Sequence, residues 1–503
     1  MEKKNYIVAI DIGSSEVVIA VGSMAEGGVV NIEAIVAEHT EGMAAGLVDN
    51  SQMVAEALRT ARQRAEELAG VAITDAYVVI SGKFVRCARY TDHVFVAADD
   101  NCISQSDLAA LRERMCNVKA ADGETIMELF PLNYKGDAGN EMKNPVGCYS
   151  KQLSSTYNFI LCENMAKERL RRVFLDAGIR VRKLYAGGAV IAESVVTSDE
   201  MEEGVAVVDM GSGVTDVAIY HGGVLCYMAS IPMGGSALNA DIRVYDGYIP
   251  PRIVENLKRK LGSAVVDLTP DEMIQMRSRS RSIKPISRLN LAAVIEARMT
   301  DIAEYVMAEI RDAGYAKKLG AGIVLTGGVA DLKNVAELFH RVTGFETRTA
   351  CAEVGVATES LEKVYSPNLT MAVSLLIRGA RDGACPVGVY VPRPKAEPEE
   401  QPEQPRVVAG GSMPQPSVQQ PSVQQQPVQQ SSVQQPVVEQ QMVEQSATAN
   451  NANLQDTVKE DEIDDIVNDA KEKKKGGWFS NIIKTFSGAF NEPTDNDDSE
   501  DSW

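Results

Sequence analysis

The chain has 503 residues, 45% of them hydrophobic, with 8 cysteines, 4 histidines and a formal net charge of -20. That length can bury large cores and corresponds to roughly two to four domains, and the acidic balance argues against nucleic acid as the main partner. No C-x-x-C pair and no histidine pair at ligand spacing occurs, which disfavours a zinc site and a disulfide framework and predicts reduced thiols in a cytosolic protein.

The opening MEKKNYIVAI enters a strand directly, without a signal-peptide pattern, and no apolar run reaches the roughly 20 residues that span a bilayer. Residues Ile7 to Gly22, IVAIDIGSSEVVIAVG, predict a hairpin whose first strand delivers Asp11 to a turn of Gly13, Ser14 and Ser15. Small residues at such a tip let backbone N–H groups close around an oxyanion. An aspartate at the strand end can hold Mg²⁺ beside phosphates. Taken alone, the motif reads equally well as an ordinary glycine turn.

Val29 to Glu38 predicts a third strand. Asn50 or Ser51 then caps a helix with Val54, Leu58, Ala61, Ala65 and Leu68 on one face, ending at Gly70. Ala76 to Ser81 is the next strand, closed by Gly82. From about Phe84 to Lys167 the texture changes to a helix (Ser106 to Val118), a turn-rich stretch (Asn133 to Gly147) and a strand (Tyr157 to Cys162), which predicts an insertion.

Val205 to Tyr220, VAVVDMGSGVTDVAIY, repeats the first hairpin: Asp209 matches Asp11, Gly211 matches Gly13, Ser212 matches Ser14 and Ala218 matches Ala20, with Gly213 and Thr215 completing the turn. Two such hairpins predict two related α/β halves gripping a nucleoside triphosphate across a cleft. Ile323 to Ala330, IVLTGGVA, is a short buried strand running into Gly327 and Gly328 before a helical stretch from Asp331 to His340, where backbone can approach a nucleotide closely. Between them, about Asn239 to Thr300 interrupts the pattern as a second insertion. In it Glu255 and Lys258 stand at helical i,i+3 spacing, by itself a solvated ion pair of a few tenths of a kcal/mol. Arg277, Arg279 and Arg281 alternate with serines; on a strand they share one face, which suits an acidic partner or a charged protective edge.

The globular pattern ends near Val391. The Gln/Pro-rich repeats that follow cannot bury enough apolar surface to offset their ordering entropy, so a disordered linker is expected. After the basic run KEKKK, Trp478, Phe479, Ile482, Ile483, Phe486 and Phe490 fall on one side of a short helix. Such a helix suits the plane of an anionic lipid interface, with docking on another protein as the alternative. An acidic stretch follows.

Paired D-x-G-S hairpins followed by L-T-G-G resemble the actin, Hsp70 and sugar-kinase superfamily. The segment FPLNYKGDAGNEMKNPVG, with Pro131, Tyr134 and Asn144 to Gly147, together with EGMAAGLV (Glu41 to Val48), AESVVTSDEMEEG (Ala192 to Gly204) and IPMGG (Ile231 to Gly235), resembles the FtsA family of bacterial cell-division proteins over about Tyr6 to Gly379. The resemblance implies an α/β, actin-like, ribonuclease-H-like duplicated two-domain fold with an inserted α+β, SHS2-like subdomain and a disordered tail ending in an amphipathic helix. It implies ATP and Mg²⁺ as cofactors, with Asp11, Gly13, Ser14, Ser15, Asp209, Gly211, Ser212, Gly213, Thr215, Gly234, Gly235, Glu255, Lys258, Gly327 and Gly328 around the nucleotide and Asp11 and Asp209 toward the metal. It further implies that Arg288 and Arg298 receive the acidic C-terminal peptide of FtsZ, that the chain forms filaments, that the first insertion meets later division proteins, and that the C-terminal helix attaches the chain to the cytoplasmic face of the membrane at the septum.

The expected organisation is one half at 1–83 and 167–203 with an insertion at 84–166, a second half at 204–240 and 301–391 with an insertion at 241–300, a linker at 392–470, a membrane-targeting helix at 471–490 and an acidic tail at 491–503. Three departures from the family pattern stand out: the acidic tail itself, Glu16 where lysine is common, and Gly187 where the superfamily places a water-orienting acid or glutamine. Slow or absent ATP turnover is therefore expected. A metabolic kinase and a pilus-related membrane-assembly ATPase of the same superfamily are the competing classes.

Overall fold

The computed structural model describes residues 4–245, 249–274 and 285–390. The expected arginine stripe at Arg277, Arg279 and Arg281, the linker, the helix Trp478 to Phe490 and the acidic tail lie outside the described residues.

Ile7, Val8, Ala9 and Ile10 and the run Val17 to Val21 are buried, and continuous apolar runs of this kind suit strands covered on both faces. They form Tyr6–Ile12 and Glu16–Met24, an antiparallel hairpin at the centre of a five-stranded sheet. Val30–His39 extends the sheet on the antiparallel side, and Asp75–Ile80 and Arg180–Ala186 extend it in parallel on the other. Helix Ser51–Ala69 covers this sheet. Asn50 Oδ1 accepts from Gln52 N and Met53 N at 3.1 and 3.2 Å, and Gly70, at φ 69°, stops the helix in the left-handed region where glycine carries no Cβ penalty. Val54, Leu58, Ala61 and Ala65 are buried as the periodicity requires, whereas Leu68, in the last turn, is 65% exposed.

The second half repeats the plan. Val205–Met210 and Thr215–His221 form the hairpin, Val224–Ile231 adds an antiparallel strand, and Ile323–Thr326 and Thr347–Thr349 add parallel ones. One hydrophobic core joins both halves: Val205, Val207 and Met228 pack in the same cluster as Ile10, Tyr185 and Leu376.

The first insertion is a four-stranded antiparallel sheet with helix Gln105–Cys116 on it, and Ile103, Leu111, Met115, Leu153, Tyr157 and Phe159 give it a core of its own. Of the stretch expected to be turn-rich, Asn133 to Gly147, the first three residues end a long strand, Glu124–Lys135, paired with Gln152–Glu163, and the rest is mostly turns around the two-residue strand Glu141–Met142. Pro131, opposite Tyr157, is tolerated because the register shifts between Thr156 and Tyr157 there. The second insertion holds helix Pro251–Leu261 and a two-residue strand pair, and its last element, helix Arg288–Asp312, runs through the expected boundary at Thr300 without a break. Beyond Thr326 the helix starts later than expected. Gly328–Asp331 is a 3-10 turn, Asn334 takes φ 62°, and the α-helix is Val335–Thr343.

Candidate nucleotide site

The two hairpin turns are built alike and touch. Gly13 N donates to Glu16 O and Gly211 N to Val214 O, both at 2.9 Å. A Cβ on Gly213 would lie 2.3 Å from Ser14 Oγ, so the tip of the second turn rests against the tip of the first. Among the described residues the N–H groups of Ser14, Ser15, Ser212 and Gly213 donate to no protein acceptor, which leaves free donors on both of the touching turns. The arrangement fits a polyphosphate.

Asp11 and Asp209 sit at the bases of these turns. Burial first, and then the neighbouring Asp216 and Glu16, push the Asp11 carboxyl up to about 7. Asp209 is raised well above the carboxylate range by burial, with Asp216 and Asp11 adding to it. Two carboxylates that resist ionising beside each other are what a bound cation would relieve. No group of three His, Cys, Asp or Glu side chains close enough to hold a metal occurs among the described residues, so a magnesium ion here would draw its remaining ligands from phosphate and water, as Mg²⁺ commonly does.

Asp216 is the residue that sequence reasoning missed. It is 4% exposed, lies opposite Asp209 in the hairpin and opposite Ser230 on the next strand, and accepts hydrogen bonds from the Ser230 and Ser81 hydroxyls. Burial raises its carboxyl, and the two hydroxyls oppose that rise. Its counterpart in the first hairpin is Val18, and an acid at a position apolar in the other repeat was the available signal. Ser230 Oγ also accepts from Gly82 N at 3.3 Å, tying this rung to the first half.

Gly234 and Gly235 close the other side. A Cβ on Gly234 would meet Gly211 O at 2.4 Å, Gly235 N donates to Gly211 O, and Ser236 N donates to Ser212 O. Thr215 is fully buried and its hydroxyl donates to Met233 O at 2.8 Å, so it staples this segment to the hairpin instead of facing the cleft. A Cβ on Gly235 would lie 3.2 Å from Lys258 Nζ and 3.1 Å from Val329 Cγ2. Lys258 is only 7% exposed while the Glu255 side chain is 47% exposed, so the pair is half-buried and not a fully solvated one. Lys258 Nζ donates to Glu255 Oε2 at 2.7 Å, and Asn239 Nδ2 donates to the same oxygen at 2.8 Å. Burial alone would raise Glu255; Lys258 and Asn239 outweigh it and hold the carboxyl below its ordinary value. Asn239 Oδ1 is buried without a partner, an acceptor free for a ligand donor. Gly327, at φ 83°, abuts Asp209: a Cβ there would lie 2.2 Å from Oδ1, while Gly328 meets only Asn368 Cβ, at 3.7 Å.

Glu16 accepts from Asn368 Nδ2 at 3.0 Å. Gly187 is buried, and a Cβ on it would lie 2.0 Å from Ser81 Oγ, so no larger side chain fits without displacing the hydroxyl that binds Asp216. Arg288 and Arg298 lie outside this cluster and are paired internally. The Arg288 guanidinium donates to Leu261 O and pairs with Glu272; that of Arg298 pairs with Asp241 at 2.7 Å and Asp301 at 3.0 Å.

Residues 206–374 match the family described as "Cell division protein FtsA" and residues 85–161 the "SHS2 domain inserted in FTSA". A "Cell division protein FtsA" from Escherichia coli (strain K12) is 30% identical over 385 residues, 75% of this chain and 90% of that protein. One from Buchnera aphidicola subsp. Baizongia pistaciae is 29% identical over 390 residues, 75% of this chain and 92% of that protein. The solved "PilM-PilN type IV pilus biogenesis complex" shares the fold at TM-score 0.50 and 13% identity, over 74% of this chain and 98% of that one. The duplicated halves are thus an actin-like fold and the first insertion is an SHS2 domain. With a relative 30% identical across nine-tenths of its length, the chain belongs to the FtsA family of cell division proteins.

Proposed function

We propose that the chain binds Mg²⁺-ATP between its halves and acts as a polymerising scaffold that ties the FtsZ ring to the cytoplasmic face of the cell membrane at the division septum. The observation that carries this reading is the contact between Gly213 and Ser14, because a polyphosphate seated at one turn necessarily meets the other. When bound, Mg²⁺-ATP supplies negative charge for the turn amides and a cation for Asp11 and Asp209. Lys258, Glu255 and Asn239 border the space beside Gly235 and would face the nucleoside. Turnover is slow: Gly187 offers no water-orienting group, and Glu16 adds negative charge beside Asp11.

The two halves divide near 83/84, 166/167 and 203/204, the SHS2 domain meets later division proteins, and the second insertion receives the acidic FtsZ peptide. At Arg288 and Arg298 that peptide would exchange for Glu272, Asp241 and Asp301, carboxylates already in place. No helix among the described residues is long and apolar enough to cross a membrane. Attachment falls to Trp478, Phe479, Ile482, Ile483, Phe486 and Phe490, a single short amphipathic segment that binds weakly alone and firmly when many copies sit on one polymer.

Co-sedimentation of FtsZ with anionic liposomes tests the reading. The full chain with ATP is expected to bring FtsZ down, and a full chain carrying Ile483→Glu and Phe486→Glu is expected to leave it in solution. Equal recovery of FtsZ with both chains would contradict it.

A further inference from the structure

A groove of about 610 Å³ opens between helix Asn164–Asp176 and the edge strand Arg180–Ala186. Phe174 and Leu184 form part of its apolar floor, and Leu175, 69% exposed, stands at its lip. Lys167, Arg171 and Arg180 line it and no acidic side chain does, in a chain of net charge -20. The side chains of Arg171 and Arg180 are each 73% exposed. Arg171 pairs with Glu168 in solvent, and such an exposed pair is worth little; Lys167 donates to the Thr125 hydroxyl, and Arg180 is held by Asp75, whose side chain is only 6% exposed. Arg180–Ala186 is also the unpaired edge of its sheet, with main-chain groups available to an added extended segment.

The last described strand starts beside this groove. Val387–Val389 pairs with Val71–Ile73, the Thr74 hydroxyl donates to Pro386 O at 3.0 Å, and Thr74, whose carbonyl accepts from Arg180 N, is part of the groove wall. Further along the same chain, Glu492, Asp495, Asp497, Asp498, Glu500 and Asp501 precede Trp503, with no basic residue among them. The intervening chain, up to roughly 330 Å if extended, sets no limit on reach.

We propose that this groove is the docking site for the chain's own acidic segment, Glu492 to Trp503. Its carboxylates match Lys167 and Arg171, and the Trp503 indole covers the floor at Phe174 and Leu184. Docking also brings Trp478 to Phe490, the segment immediately before it, to the same face of the body. That consequence for lipid attachment rests on the function proposed above; the docking does not.

Trp478 and Trp503 are the two tryptophans of the chain, so Trp478→Phe in the full chain leaves Trp503 as the sole reporter. In dilute, low-salt solution without FtsZ or lipid, Trp503 is expected to emit at shorter wavelength and to be quenched by acrylamide severalfold less than in the urea-unfolded chain. Adding Lys167→Glu and Arg171→Glu, or separately Asp497→Asn, Asp498→Asn and Glu500→Gln, is expected to abolish the protection, and the tail changes leave the body untouched. Free accessibility of Trp503 in the starting chain would overturn the proposal. So would protection that survives both sets of changes, or protection that grows with protein concentration and so places the tail on a second copy.

Discussion

Asp209 and Asp216 face each other directly across the second hairpin, and Asp216 in turn faces Ser230 on the adjoining strand. Like charges directly opposed across a sheet are destabilising, and burial of both removes the solvent that would screen them. The rung therefore resists ionisation, both carboxyls being pushed up, a cost relieved in part by the Ser230 and Ser81 hydroxyls and, on our reading, by a cation at Asp209.

Asp216→Asn keeps the shape and an oxygen acceptor for one of the two hydroxyls while removing the charge. The ligand-free protein is expected to gain about 1 kcal/mol and its nucleotide affinity to depend less on Mg²⁺. A thermal melt at neutral pH measures the first effect; a loss of stability would mean that the carboxylate is held by its hydroxyl partners more strongly than it is repelled by Asp209.

Contact between the turns makes a second prediction. Gly213→Ala places a methyl against Ser14 and is expected to lower ATP affinity by about tenfold, about 1.4 kcal/mol, while the far-ultraviolet circular dichroism stays unchanged. Ser14→Gly in the same chain removes the clashing atoms and should restore part of the loss. Failure of that restoration would place the defect of Gly213→Ala elsewhere.

The repeated turns were legible in the sequence because each is local: an aspartate at a strand end, small residues next, and the same order again in Val205 to Tyr220. Asp216 was not, because its environment is made by Ser230 on the next strand and by Ser81 in the other half. Asn239 and Asn368 belong to the site for the same tertiary reason. Asn133 read as the start of a turn-rich stretch, but it pairs with Thr156 near the end of a strand whose register shift beside Tyr157 accommodates Pro131. The helix after Gly328 was placed too early because the 3-10 turn and the left-handed Asn334 leave no periodic trace. Where a residue's state is fixed by its neighbours in sequence, pattern suffices; where strands far apart fix it, pattern is silent.

Lys258→Met tests the nucleoside side. It removes the cation that holds Glu255 low and is expected to weaken ATP binding about tenfold while leaving inorganic triphosphate binding unchanged. Equal loss for both ligands would place Lys258 at the phosphates.

The pH dependence follows from Asp11, raised to about 7 by burial and then by Asp216 and Glu16. A raised carboxyl favours the folded, ligand-free chain at pH below the ordinary carboxylate value, and that contribution is lost as pH rises through about 7. Ligand binding runs the other way, since a cation competes with the proton; Mg²⁺-ATP is expected to bind about tenfold more weakly at pH 6 than at pH 8. Melts at both pH values, with and without Mg²⁺-ATP, resolve the two opposite trends.

The most direct test of the clamp is titration calorimetry of the full chain with ATP, with and without Mg²⁺, beside the variant Asp11→Asn with Asp209→Asn. One ATP per chain is predicted, bound tightly only with Mg²⁺ and no longer sensitive to Mg²⁺ in the double variant. Absence of binding, or binding indifferent both to Mg²⁺ and to the two aspartates, would contradict the account.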